Sequence, residues 1–169
     1  SGQGYNYLTG SGLKTANAYT RAAEPSAQPT AIAFTNVSAS SMDGSFTAAA
    51  GSPAGYLVVR RAGAAPTTPP VDGTPYTAGA TLGDGTVVSS GSGTTFTSTG
   101  LAATTVYYYA VYAYNGSGVT LNYREASPLQ GNRSTVAAQP STQASNISFP
   151  DHTPTSLTVS WTNGNGAER

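Results

Sequence analysis

The 169-residue chain contains no cysteine and carries charge on only 8% of its residues. Without cysteine there is no disulfide framework, thiolate nucleophile or thiolate-bound zinc. A core of this length does not need such staples. Globular chains usually carry roughly 25% charged residues. Here seven basic residues, with Lys14 the only lysine, balance seven acidic ones. A net charge of zero excludes the basic footprint of a nucleic-acid binder and a polybasic membrane-surface segment. The longest apolar stretch, Val106 to Tyr114, is far short of the ~18 residues of a membrane span, so no membrane insertion is expected. No charged and apolar leader opens the sequence, so any signal peptide is expected to have been removed already. No segment shows a helical period with caps.

Against these absences, 38% of the residues are hydrophobic, with 11 Tyr and 4 Phe, enough to build a core. The 20 glycines and 11 prolines stay below the roughly 25–30% that marks low-complexity chains. Ser, Thr and Ala dominate the remainder. A surface of hydroxyls and turns suits a β protein.

The chain repeats itself. Pro25-Ser26-Ala27-Gln28 returns as Pro140-Ser141-Thr142-Gln143, an offset of 115 residues. At that offset Ile32 meets Ile147, Phe34 meets Phe149, Met42 meets Leu157 and Phe46 meets Trp161. Ser1-Gly2 with Asn6-Tyr7 matches Ser117-Gly118 with Asn122-Tyr123 at offset 116, so one indel reconciles the two. Residues 1–27 are therefore expected to be the last strand of a preceding repeat, 28–139 a complete repeat, and 140–169 the first strands of a following one.

The complete repeat reads as strands. Ala31 to Phe34 and Met42 to Phe46 alternate at period two, and Tyr56-Leu57-Val58-Val59 is a short, wholly apolar run. A Pro/Gly-rich connection from Ala65 to about Gly85 carries two Asp-Gly turn signals, Asp72-Gly73 and Asp84-Gly85. Thr86-Val87-Val88 and Thr95-Phe96-Thr97 follow. The strongest strand is Val106 to Tyr114, with Tyr107, Tyr109, Val111 and Ala113 on one face and Tyr108, Ala110, Tyr112 and Tyr114 on the other. Asn115-Gly116 signals a hairpin, and Leu121 to Arg124 starts the return. Seven or so short strands with frequent turns predict an all-β sandwich.

The stretch from Leu101 to Asn115 resembles the E–F corner and strand F of fibronectin type III domains, through Leu101, Thr105, Tyr107, Tyr109, Val111, Ala113 and Asn115. Ala103 and Thr104 stand where that pattern has Pro-Gly. Ser156-Leu157-Thr158-Val159-Ser160-Trp161 is similar to the family's strand B with its core tryptophan, and Phe46 holds that position in the complete repeat. The resemblance implies a fibronectin type III-like, immunoglobulin-like sandwich, complete once and flanked by partial repeats. Phe46, Leu101, Tyr107, Tyr109, Val111 and Trp161 would be core residues, with the Tyr107 hydroxyl bonded to backbone just upstream. Long-insert repeats of this kind resemble those strung in tandem in large secreted and surface proteins of bacteria.

Chemistry is sparse. His152, beside Asp151 in the first loop of the third repeat, lacks a nucleophile or further metal ligands near it in sequence. Val37 stands at the matching position of the complete repeat. Asp43, Asp72 and Asp84 are the aspartates inside that repeat. Asp-Gly pairs favour turns, and no Asp-x-Asp-x-Asp spacing supports calcium. No Gly-x-Ser-x-Gly elbow or phosphate-binding glycine loop is present. No catalytic residue, metal site or cofactor is expected. Tyr108, Tyr112 and Tyr114 form a candidate binding face for a polysaccharide or protein ligand, unless the long insertion folds over them.

The expected role is a non-catalytic structural and adhesive repeat of an extracellular bacterial surface protein. Its partners would be neighbouring repeats or other copies of itself, with strand complementation into a fibre as one form. The alternative is an accessory module, carbohydrate-binding or spacer, of a secreted hydrolase. In either case residues 140–169 are expected to contact residues outside the 28–139 sandwich more than the sandwich itself.

Overall fold

The computed structural model describes residues 18–165. Most of the expected last strand of a preceding repeat, from Asn6 to about Thr20, lies outside the described residues. Residues 18–29 run without regular structure into the first strand.

Eleven strands follow in order: β1 (Thr30–Thr35), β2 (Ser41–Thr47), β3 (Gly55–Ala62), β4 (Thr81–Leu82), β5 (Gly85–Gly91), β6 (Thr95–Thr99), β7 (Val106–Asn115), β8 (Asn122–Tyr123), β9 (Leu129–Ser134), β10 (Ser145–His152) and β11 (Leu157–Thr162). A single 3₁₀ turn, Gly118–Thr120, precedes β8. One sheet has the order β1-β2-β6, the other β4-β5-β3-β7, and β7 pairs in addition with β9 and β8. Every pairing is antiparallel.

The two sheets close on a core set by the period-two alternation of their strands. Met42 and Phe46 from β2 and Phe96 from β6 meet Tyr56 and Val58 from β3 and Tyr107, Tyr109, Val111 and Ala113 from β7. Phe34 and Phe96 bracket the Tyr109 ring at 5.0 and 5.4 Å between centroids. Gly44 faces this core because a Cβ there would fall inside the Phe96 ring.

A second apolar layer lies on the opposite face of the larger sheet. Leu57, Val59, Val87, Ala110 and Tyr112 point outward and are covered by Leu82, Leu121 and Tyr123, with Tyr76 packed against them. This explains why Tyr56 to Val59 is unbroken by polar residues: β3 is buried on both faces.

Two expectations shift in detail. The hairpin between β4 and β5 pairs Leu82 with Gly85, so its central residues are Gly83 and Asp84, with Gly83 at φ 55°. The turn therefore sits one residue earlier than Asp84-Gly85, with glycine taking the left-handed position. The return from β7 is only two residues long at β8, and most of that edge of β7 pairs instead with β9, from Val106 to Val111.

A separate hairpin, β10–β11, shares its first register break and its turn with β1–β2, and has a second break, between Ser148 and Asp151, that β1–β2 lacks. In β1–β2 the register breaks between Thr30↔Thr47 and Ala33↔Ser45. In β10–β11 it breaks between Ser145↔Thr162 and Ser148↔Ser160. Each break contains one residue at positive φ, Ala31 at 55° and Asn146 at 53°. The turns match as well: Ser38 N–H donates to the Ser41 carbonyl, and Thr153 N–H to that of Ser156, both at 2.8 Å. Every one of these equivalences has the sequence offset of 115.

The burial does not match. Phe46 is 6% exposed, whereas Trp161 is 55% exposed. Trp161, expected as a core residue of the following repeat, is exposed among the described residues. All residues of β10 and β11 are exposed, because no second sheet faces them among the described residues. The indole N–H of Trp161 instead donates to Asn163 Oδ1 at 2.9 Å.

Candidate functional site

Strand β7 carries most of the residues that the sequence singles out. Its inward face places Tyr107 at the start, where the hydroxyl accepts a hydrogen bond of 2.9 Å from the backbone N–H of Ala102. The bond spans the turn from β6 into β7 and ties the two sheets together at that corner. Thr104 occupies the tightest point of the turn at φ 50°, a conformation glycine adopts without strain. The Arg60 guanidinium lies over the Tyr107 ring at 5.8 Å and donates to Ser98 Oγ and to the Thr99 carbonyl at 2.6 and 2.7 Å.

Tyr109 is fully buried, and burial pushes its pKa up. Its hydroxyl makes no hydrogen bond of good geometry among the described residues, and the Ser98 side chain beside it only partly offsets the rise. Leu101 and Val111 are also buried in the core between the sheets.

A corner tyrosine bonded to upstream backbone, and a three-stranded β1-β2-β6 sheet facing one built on β5-β3-β7-β9, together decide the fold. The sandwich is fibronectin type III-like. No protein-family model matches the chain, and no curated protein matches it. Among solved structures, the chain is similar to a computationally redesigned β-sandwich protein at 21% identity and TM-score 0.48, covering 66% of this chain and 97% of that one. It is similar to the fibronectin type III domain of human collagen XX at 22% identity and TM-score 0.45, covering 70% and 100%. A fibronectin type III domain of a second human protein, solved in solution, matches at 14% identity and TM-score 0.41, covering 77% and 85%.

The outward face of β7 in this fibronectin type III-like sheet is not an open tyrosine ladder. Tyr112 is 3% exposed beneath the outer apolar layer, which raises its pKa by burial. The expected binding face of Tyr108, Tyr112 and Tyr114 is corrected accordingly: the central ring is sealed, while Tyr108 and Tyr114 remain half-buried on either side. The cover comes from the long connection after β3 and the loop before β8, two stretches whose docking no alternation pattern reveals.

At the edge of that cover Tyr114 meets Tyr123 edge-on at 5.5 Å, and Tyr123 meets Tyr76 at 6.0 Å. The Tyr123 hydroxyl donates to the Thr74 carbonyl, and that of Tyr76 accepts from Val71 N–H. Burial first, then neighbouring tyrosines and Asp72, push the pKa of Tyr123 up to about 12. Tyr76 belongs to no motif in the sequence, and folding alone brings it and Tyr123 to Tyr114.

The carboxylates are dispersed as fasteners. Asp43 accepts from Asn36 Nδ2 and Thr97 Oγ1, both at 2.8 Å, and these bonds hold its pKa below the usual value. Asp84 accepts from the Thr67 hydroxyl and N–H at 2.6 and 3.0 Å and pairs with Arg61 at 2.7 Å, which lowers its pKa likewise. Asp72 accepts from Tyr123 N–H at 2.7 Å and pairs with Arg21. Among the described residues no three of His, Asp and Glu converge on one point. His152 ends β10 opposite Leu157 and is not in the following loop. No helix among the described residues is long and apolar enough to cross a membrane.

Proposed function

We propose that this chain is a non-catalytic structural and adhesive stretch of a tandem array of fibronectin type III-like sandwiches in a large extracellular bacterial surface protein. The observation that carries the reading is the β10–β11 hairpin. It repeats the first bulge and the turn of β1–β2 at a constant offset, with its apolar face bare. A two-stranded hairpin is at best marginal in water. Ile147, Phe149, Leu157 and Trp161 occupy the positions that in the sandwich bury Ile32, Phe34, Met42 and Phe46. The reading makes β10–β11 the opening of another sandwich, completed by strands equivalent to β3, β6 and β7. Stacked units then give reach, with stability set by each unit and its contact with the next. A surface with few charges makes those contacts insensitive to salt.

Trp161 is the only tryptophan and reports this directly. Residues 163–169 fall opposite 48–54 at the same offset, so appending residues 55–139 after Arg169 supplies the missing strands. The tryptophan emission is expected to move to shorter wavelength and to escape acrylamide quenching in the extended chain. An indole that stays quenchable beside a folded first sandwich defeats the tandem reading. Concentration-dependent fibres of the 169-residue chain, with Trp161 protected, would replace it with strand exchange between copies.

A further inference from the structure

We propose that one end of the sandwich is a clasp for the segment leading into it, and that its ligand is an extended Ala-Ala-(Glu/Gln)-Pro-Ser-x-Gln peptide. The clasp is built by the end of β7, the loop to β8 and the residues just after it. It holds Ala22 from both sides of the peptide unit. Ala22 N–H donates to the Thr120 carbonyl at 3.0 Å, and the Ala22 carbonyl accepts from Asn122 Nδ2 at 2.7 Å. The Ala23 carbonyl accepts from Asn115 Nδ2 at 2.8 Å. Arg124 pairs with Glu24 at 3.2 Å and donates to the Pro25 carbonyl at 3.0 Å. Gln28 closes the far end, accepting from Ala113 N–H at 2.9 Å and donating to the carbonyls of Arg124 and Ala126.

These contacts read backbone more than side chain, which suits a ligand with alanines at its centre. Gly116, at φ 81°, lets the loop lie close: a Cβ there would strike the Thr120 carbonyl and sit 3.0 Å from Ala22 Cβ. Pro25 is buried in the clasped segment.

A second copy of the ligand exists in the same chain. Ala137-Ala138-Gln139-Pro140-Ser141-Thr142-Gln143 is identical to Ala22-Ala23-Glu24-Pro25-Ser26-Ala27-Gln28 at all but the third and sixth positions. It follows β9 and is exposed throughout, Pro140 included. Its occupant is a further sandwich of the same build, with counterparts of Asn115, Asn122 and Arg124. That assignment rests on the tandem reading, whereas the clasp on residues 22–28 does not. Domains joined by a free linker move relative to one another by default. A linker hydrogen-bonded along its length instead fixes the direction in which one sandwich leaves the next.

The Ala-Ala bonds of the two matched segments make an internal control for an elastase, whose small primary pocket accepts alanine. In the native chain the Ala137–Ala138 bond is expected to be cut first and Ala22–Ala23 at least about tenfold more slowly, the effect of one ordinary hydrogen bond. Asn122→Ala should raise the rate at Ala22–Ala23 by about tenfold and leave Ala137–Ala138 unchanged. Asn115→Ala should do the same, but Asn115 also accepts from Ala54 N–H, so its melting curve is recorded alongside. Amide exchange at Ala22 in Asn122→Ala gives a second measure, expected to quicken by a similar factor. Equal cutting of the two bonds in the native chain overturns the clasp. Protection of both bonds leaves the clasp standing and overturns the second segment as a waiting ligand, and with it the tandem reading.

Discussion

Two hairpins in this chain share a bulge at the same place and the same turn, yet one is core and the other is surface. In β1–β2 the apolar face meets β3, β6 and β7, and Phe46 packs edge-on to Tyr56 at 5.0 Å. In β10–β11 the equivalent face meets nothing among the described strands, and Trp161 lies more than half exposed. Local sequence thus sets hairpin geometry without help from the core, since bulge and turn appear in both settings. The geometry comes from the Ser/Thr turn, whose hydroxyl accepts from backbone two residues on in each case. Burial is a separate matter, supplied by residues far away in the chain.

The sharpest way to break the comparison is to truncate the matched aromatic in each hairpin. Phe46→Ala should destabilise the sandwich by about 3–5 kcal/mol, through lost burial and the cavity left behind. Trp161→Ala should leave the sandwich's urea midpoint unchanged. Equal effects on that midpoint would mean that the two hairpins share one core.

Alkaline titration should separate the same two regions more gently. Tyr109, Tyr112 and Tyr123 have pKa values raised by burial, that of Tyr123 to about 12, and all three lie in the sandwich. A group whose folded pKa lies above its unfolded value holds its proton more tightly when folded. Its stabilising effect is full below the ordinary tyrosine pKa of about 10 and is lost as pH rises toward the folded value. The sandwich's melting temperature should therefore fall between about pH 10 and pH 12, while the β10–β11 hairpin, which has no tyrosine, shows no tyrosine-linked change. Melting curves followed by near-ultraviolet circular dichroism check this.

The smallest effect concerns the Tyr109 hydroxyl, buried without a well-formed hydrogen bond among the described residues. Tyr109→Phe removes that group and keeps the ring between Phe34 and Phe96, so the sandwich should hold its stability or gain about 1 kcal/mol. A loss beyond that, measured by denaturant unfolding, would show that the hydroxyl is bonded in solution.

Much of the fold is legible in the residues. The alternation of β7 assigns Tyr107, Tyr109, Val111 and Ala113 to one face and Ala110, Tyr112 and Tyr114 to the other, and the two apolar layers divide the same way. Strand β9 is not legible: Leu129-Gln130-Gly131-Asn132-Arg133-Ser134 has no apolar alternation, because it is an edge strand that is largely exposed. It is a strand only because β7 offers it a ladder from Val106 to Val111. The candidate binding face was legible as a face and not as a covered one, since periodicity gives the direction of a side chain and not what lies above it.

Composition and periodicity alone pointed to an all-β chain and the two faces of its central strand, while the corner tyrosine came from the resemblance of Leu101 to Asn115 to fibronectin type III domains. The first two follow from local sterics and a period of two residues. Folding in three dimensions settled which of those faces are dry. The docking of the long connection over Tyr112, the clasping of residues 22–28 beside the exposure of 137–143, and the contrast between Phe46 and Trp161 all depend on contacts between residues distant in sequence. Such contacts form wherever buried apolar area and satisfied backbone bonds outweigh the entropy of ordering the chain, a balance that no single segment carries.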